Sequence, residues 1–62
     1  MLTQERHREI LKILAEKQAV TVSELSELLN TSESTIRRDL LALAKMGKLK
    51  KRLNTNESFF IG

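Results

Sequence analysis

The sequence has no cysteine, a single histidine (His7) and only two aromatic residues. Without cysteine the chain can form neither a disulfide framework nor a cysteine-based zinc site, and a lone histidine does not make a metal site. Its apolar runs are a few residues long, far short of the roughly 20 needed to span a bilayer, and a signal peptide's apolar stretch is missing. We therefore expect a soluble, cytoplasmic chain that binds no metal, no cofactor and no membrane.

The chain has 62 residues, which we interpret as one domain over residues 1–62. A chain of this size buries only about 60% of the surface that it exposes when unfolded, so one small core must suffice. A glycine-rich phosphate loop and a cysteine nucleophile are both missing, and the carboxylates are spread singly. This pattern is not that of an enzyme, and we predict no catalytic residues.

The net positive charge of the chain lies in its second half. Residues 1–31 carry four basic and five acidic side chains, a net charge of −1, whereas residues 32–62 carry seven basic and three acidic ones, a net charge of +4. A basic excess confined to one part of a domain is expected where that part meets a phosphate backbone.

Two helices are predicted in the first half. The first begins after an N-cap at Thr3 and ends near Lys17. His7 lies on its apolar stripe, where we expect it to pack partly buried. A short β-branched run, "AVTV", can form at most a brief strand.

Ser23 is the predicted N-cap of the second helix, which ends at Asn30 because asparagine tolerates the left-handed conformation of a tight turn. Its core-facing residues are predicted to be Leu25, Leu28 and Leu29.

The third predicted helix contains the stretch "TSESTIRRDLLAL". It begins at an N-cap, Ser32, and ends at Gly47. At 100° per residue one stripe is apolar and the opposite side is polar, with Leu41 as an outward-facing exception. The apolar stripe comprises Ile36, Leu40 and Leu43; the polar side comprises Ser34, Arg38 and Lys45, flanked by Thr35 and Arg37. The second and third helices, joined by the tight turn that begins at Asn30, predict a helix-turn-helix over about residues 23–46. This motif presents a recognition helix to the DNA major groove.

The last segment, "KLKKRLNTNESFFIG", predicts a β-hairpin. Leu49 and Leu53 alternate with Lys50 and Arg52, "NTNE" supplies a polar turn, and "SFFI" forms the second strand. We expect at least one of its two phenylalanines to pack in the core rather than to stack on bases. The predicted fold class is mainly α (α+β): a winged helix-turn-helix with three helices and a C-terminal two-stranded β-hairpin wing over about residues 48–62.

Residues 4–51, and above all "SESTIRRDLLAL" followed by "GKLKK", resemble the N-terminal winged helix-turn-helix domain of the DeoR family of bacterial transcriptional regulators, many of which repress sugar-utilisation operons. The resemblance implies that Ser34, Thr35, Arg37 and Arg38 belong to the recognition helix and that residues 50–52 begin the wing. It also implies a C-terminal phosphosugar-binding domain, so the chain is either the DNA-binding part of a longer regulator or a protein with the reader domain alone. A domain this small offers few contacts, so specific binding requires two copies, and we expect a homo-oligomer in the full-length context. The glycine-rich wing usual in the family, "R-x-H-G-G", is replaced by "RLNTNESFFIG".

We expect double-stranded DNA to be the partner, with two kinds of contact. Sequence-independent contacts to phosphate are assigned to Ser32, Ser34, Arg37, Lys50, Lys51 and Arg52, with Lys45 as a further basic residue of the DNA-binding set. Arg38, next to Ser34 and Thr35, is the candidate for base contact, because a guanidinium pairs bidentately with guanine. The two arginines can exchange roles, since one can instead bind Asp39 or a phosphate, and Asp39 is interpreted as an acid that orients a basic side chain. RNA binding and a protein-interaction module using Leu41 and "SFFI" are the alternatives.

Overall fold

The computed structural model describes residues 1–55 and 57–61. Its elements are three helices, α1 (Thr3–Lys17), α2 (Val22–Leu29) and α3 (Glu33–Lys45), and three strands, β1 (Ala19–Thr21), β2 (Lys50–Lys51) and β3 (Ser58–Phe60). The three helices and the strands on either side of the C-terminal turn confirm the predicted winged-helix class. Part of the predicted turn, at residue 56, and the last position, 62, lie outside the described residues.

The sheet has one strand more than the predicted hairpin. β3 lies in the centre and pairs antiparallel with both β1 and β2. The short "AVT" segment therefore forms a sheet edge, with Val20 opposite Phe59. Both side chains are buried, and this cross-strand pair explains why three residues suffice for a strand.

Two predicted details of the hairpin are wrong. β2 contains only Lys50 and Lys51, so Arg52 and Leu53 lie beyond the strand. Leu53, predicted to alternate with Leu49, is 96% exposed, whereas Leu49 is buried. The Arg52 backbone N–H still donates to the Ser58 carbonyl at 3.1 Å, after which the chain turns and the strand pattern ends.

The N-termini of α1 and α2 differ from the predicted ones by one and two residues. α1 is capped at Leu2, with Thr3 as its first helical residue. α2 is capped by Thr21 rather than Ser23: the Glu24 N–H donates to Thr21 Oγ1 at 3.1 Å, and the Thr21 N–H donates to the Glu24 carboxylate at 3.2 Å. This reciprocal arrangement is the capping box, whose Thr-x-x-Glu pattern is present in the sequence.

The turn between α2 and α3 and the end of α3 agree with the predictions. Asn30 has φ 51°, in the left-handed region, and Ser32 is the N-cap of α3. At the other end Gly47 has φ 78°, its N–H donates to the Ala44 carbonyl, and the Lys48 N–H donates to the Leu43 carbonyl. These two bonds are those of a Schellman motif, which ends the helix at a left-handed residue.

The core lies where the three helices meet the sheet. Its buried apolar side chains are Ile10, Leu14, Val20, Val22, Leu25, Ile36, Leu40, Leu43, Leu49 and Phe59. Phe59 confirms the expectation that one phenylalanine packs inside, and the 38% exposure of Leu41 confirms its outward position. The prediction for Leu28 is wrong: it is 55% exposed, because the short α2 presents Val22 and Leu25 to the core.

Candidate nucleic-acid interface

The N-terminus of α3 carries a cluster of hydroxyl groups. The Thr35 N–H donates to Ser32 Oγ at 3.4 Å, Ser32 Oγ donates to Thr35 Oγ1 at 2.9 Å, and Ser34 Oγ lies 3.4 Å from Ser32 Oγ. Ser32 and Ser34 are exposed and Thr35 is half-buried. Exposed hydroxyls and the first backbone N–H groups of a helix are suited to bind an anion.

The preceding turn holds this end of α3 against α2. Ser26 Oγ donates to the Thr31 carbonyl at 2.6 Å, and the Thr31 N–H donates to the Ser26 carbonyl at 3.0 Å. Thr31 Oγ1 also donates to the Leu29 carbonyl at 3.0 Å. These bonds fix the direction in which the hydroxyl cluster points, because they leave the turn little freedom between two packed helices.

The two adjacent arginines of α3 have different surroundings. Arg37 is half-buried and donates from Nε and Nη2 to Glu57 Oε1, at 3.1 and 2.7 Å. Arg38 is exposed, and within residues 1–55 and 57–61 its side chain forms no hydrogen bond or ion pair. Consecutive helical residues differ by 100° in direction, which separates the two guanidinium groups although the residues are neighbours in the sequence.

The remaining basic residues of the predicted set are exposed. Lys45 lies in the last turn of α3, Lys50 and Lys51 form β2, and Arg52 follows it. Lys50 is paired with Phe60 and Lys51 with Phe59, so the two lysines lie on opposite faces of the sheet. The Arg37–Glu57 contact brings α3 next to the segment that leads into β3, and hence next to the wing.

Asp39 is the one buried charged residue among the described residues, at 4% exposure. Arg6 of α1 donates to it from Nε, and from Nη2 to Oδ1 at 3.2 Å. The hydrogen bond to Asp39 raises the pKa of Arg6, although desolvation opposes the rise. His7 Nε2 lies 3.3 Å from Asp39 Oδ1 but forms no hydrogen bond. Asp39 therefore orients a basic side chain as predicted, and that side chain comes from α1 rather than from α3.

Sequence reasoning missed two residues of this arrangement, Arg6 and Glu57. Both act on α3 from positions 33 and 20 residues away in the chain. Asp39 lies on an otherwise apolar flank of α3, and a buried carboxylate requires a partner. This need was the sequence feature that could have pointed to a basic residue such as Arg6. For Glu57 the sequence offers no comparable signal, since an acid next to a wing strand is ordinary surface charge.

No helix in the described part of the chain is both long enough and apolar enough to cross a membrane. Within the same residues, no group of three or more histidine or acidic side chains is placed to hold a metal ion.

This architecture is that of a winged helix-turn-helix domain. The model of the DeoR-like helix-turn-helix domain matches residues 6–59, and the chain belongs to that family. Its relatives include the regulators FruR of Bacillus subtilis, 49% identical over 82% of this chain, and UlaR of Shigella flexneri, 41% identical over 94%. These relatives are named as HTH-type transcriptional regulators, and the chain spans 20% and 23% of their lengths.

A solved structure has the same fold. The Zα domain of Cyprinid Herpesvirus3 ORF112, described as bound to Z-DNA, matches with a TM-score of 0.86 over the full length of both chains, at 19% identity. At this identity the likeness concerns the fold, and it confirms a winged helix with three helices and a small antiparallel sheet.

Proposed function

We propose that this chain is the sequence-specific, double-stranded DNA-binding domain of a bacterial transcriptional regulator that represses a sugar-metabolism operon. The observation that carries the proposal is the contact of α3 with the wing through Arg37 and Glu57. It brings together a helix whose N-terminus exposes hydroxyl groups and a wing whose first strand exposes lysines. Family membership and relatives named as transcriptional regulators support the same function.

The proposed mechanism divides the surface into anchoring and reading groups. The hydroxyl cluster, Arg37 and the cations of residues 45 and 50–52 bind phosphate oxygens and set the register of α3 in the major groove. Arg38 contacts base edges, because its guanidinium is exposed and can pair bidentately with guanine O6 and N7. Ser34 and Thr35 are its neighbours at the N-terminal end of α3, the end from which a recognition helix contacts bases.

The larger protein is also part of the proposal. A single domain of this size offers few contacts, so we expect an isolated copy to bind at about 10⁻⁴ to 10⁻⁶ M at physiological salt. Homo-oligomerisation in a full-length regulator would place two recognition helices roughly 34–36 Å apart on a repeated half-site. A C-terminal phosphosugar-binding domain would then supply the effector response.

The test is a fluorescence-anisotropy titration with a mixed-sequence DNA duplex, its single strand and an RNA duplex of the same sequence, at 50 and 200 mM salt. We expect preference for the DNA duplex and a steep loss of affinity with salt. Operator selection and a reporter promoter carrying the selected site then test repression. Absence of binding to every probe at 50 mM salt would contradict the proposal and favour the protein-interaction alternative, in which the exposed Leu41 and Ile61 contact a partner.

A further inference from the structure

Glu57 is the acidic residue of the second half of the chain that packing and helix capping do not explain. Of the three acids there, Glu33 lies in the first turn of α3, where the helix dipole favours a negative charge. Asp39 is buried and bonded to Arg6. Glu57 instead lies with its side chain 52% exposed beside the recognition helix, where a negative charge opposes the approach of phosphate.

The backbone holds Glu57 in this place. Its carbonyl accepts from the Val22 N–H at 2.9 Å, and its N–H donates to Thr55 Oγ1 at 2.9 Å. The residue is thus tied to the first turn of α2 on one side and to the wing turn on the other. Its carboxylate meets Arg37 because these bonds place it there, and not because a flexible loop has folded over the helix.

The Arg37–Glu57 pair is easily exchanged for another anion. The side chains are 33% and 52% exposed, and an exposed ion pair contributes little to stability. Both donated hydrogen bonds end on the same oxygen, Oε1, so the contact is not the two-oxygen fork that makes arginine–carboxylate pairs strong. A phosphate oxygen offers Arg37 an equivalent acceptor.

We propose that Glu57 is an internal competitor for phosphate at Arg37, which lowers the affinity of the domain for any duplex regardless of its sequence. This inference rests on the proposed DNA-binding function. In the free domain Arg37 is bound to the carboxylate; on DNA it transfers to a phosphate and Glu57 is left next to the duplex. Removing the carboxylate abolishes both the exchange and the repulsion.

The test is a double-mutant cycle, with Glu57→Gln, Arg37→Gln and the double variant titrated against a mixed-sequence duplex at 50 and 150 mM salt. We expect Glu57→Gln to bind about two- to fivefold more tightly than the unmodified domain at 50 mM, the factor that an exposed ion pair represents. The gain should shrink at 150 mM because salt screens exposed charges. In the Arg37→Gln background only the repulsion between Glu57 and the duplex remains, so the same change should have a smaller effect.

Glu16→Gln is the matched control, since it removes the same charge from an exposed position on α1 and should alter binding little. If Glu57→Gln binds no more tightly than Glu16→Gln, or more weakly than the unmodified domain, the competitor role is wrong; weaker binding would show that Glu57 positions Arg37 for contact. If the unmodified domain binds no duplex, the proposed function and this inference fall together. Circular dichroism melts verify that each variant is folded.

Discussion

The ion pair between α1 and α3 gives a prediction whose effect on stability can be worked out from the structure. The side chains of Arg6 and Asp39 are 13% and 5% exposed, and two guanidinium nitrogens donate to the two carboxylate oxygens. Removing one partner of a buried pair costs about 3–5 kcal/mol, because the other charge remains uncompensated. At about 0.05–0.15 kcal/mol per residue the whole domain has only roughly 3–9 kcal/mol of stability.

The two partners should not be equivalent. Arg6→Met leaves the more deeply buried Asp39 without its guanidinium partner, so we expect the free energy of unfolding to fall by about 3 kcal/mol or more. Asp39→Asn leaves Arg6 closer to water, and a loss of about 2 kcal/mol is expected. At roughly 4–8 °C per kcal/mol for a small domain, Arg6→Met should lower the melting temperature by about 12–24 °C. Arg6 is protonated at neutral pH, as arginine ordinarily is, so its contribution is present in full there. Because the hydrogen bond to Asp39 raises the pKa of Arg6, that contribution is lost as the pH rises through the raised value.

The assay is urea and thermal unfolding followed by circular dichroism, with Arg6→Met, Asp39→Asn and the double variant compared. Because the two groups interact directly, the double variant should be less destabilised than the sum of the single ones. Glu33→Gln, an exposed acid on the same helix, should change the free energy of unfolding by less than about 1 kcal/mol. A change below about 0.5 kcal/mol for Arg6→Met, or simple additivity, would refute the argument that this ion pair between α1 and α3 stabilises the fold.

Three further predictions concern the surface, the core and the end of α3. Arg38→Ala should reduce discrimination at one base pair by about 1–3 kcal/mol, whereas Lys50→Ala should lower the affinity for all duplexes alike and reduce the slope of log affinity against log salt by about one. The measurement is a titration of a selected operator and its point mutants. If both variants lower the affinity uniformly, the proposed division between base contact and phosphate contact is wrong. Phe59→Ala should cost about 3–5 kcal/mol and leave little folded protein in a urea titration, while Leu53→Ala, at 96% exposure, should lie within about 0.5 kcal/mol of the unmodified domain. Gly47→Ala should cost about 1–2 kcal/mol through its φ of 78°, because among the described residues, its chain neighbours aside, no heavy atom lies within 4 Å of the added Cβ. An unchanged melting temperature would argue against the left-handed helix end.

The features that the sequence predicts correctly are those that short-range chemistry controls. Ser32, Asn30 and Gly47 act on backbone groups a few residues away, so their residue types alone predict where α2 ends and where α3 begins and ends. The apolar stripe of α3 follows from its period, and Ile36, Leu40 and Leu43 are all buried. Thr21 shows the limit of this reasoning, because Ser23 is an equally good cap by type and only the reciprocal bond with Glu24 decides between them.

Long-range pairings are what the sequence does not predict. Nothing in "AVTV" identifies β3 as its partner, because a three-residue strand becomes stable only when Phe59 covers Val20 from the neighbouring strand. The exposure of the Leu28 and Leu53 side chains to solvent likewise depends on where the core ends, and not on their apolar character. The DNA-contact set of residues 32, 34, 35, 37, 38, 45 and 50–52 stays a prediction, although the fold places all of these residues on α3, its cap or the start of the wing.

The surroundings of the two adjacent arginines support the two different roles that we propose for them. In the sequence Arg37 and Arg38 are interchangeable, since both lie outside the apolar stripe. In the folded domain Arg37 turns towards Glu57, whereas Arg38 is exposed. A side chain already bound to a carboxylate is suited to exchange that acceptor for a phosphate oxygen, which has no sequence information. An exposed guanidinium keeps all of its donors for a base edge, which is why we assign base recognition to Arg38.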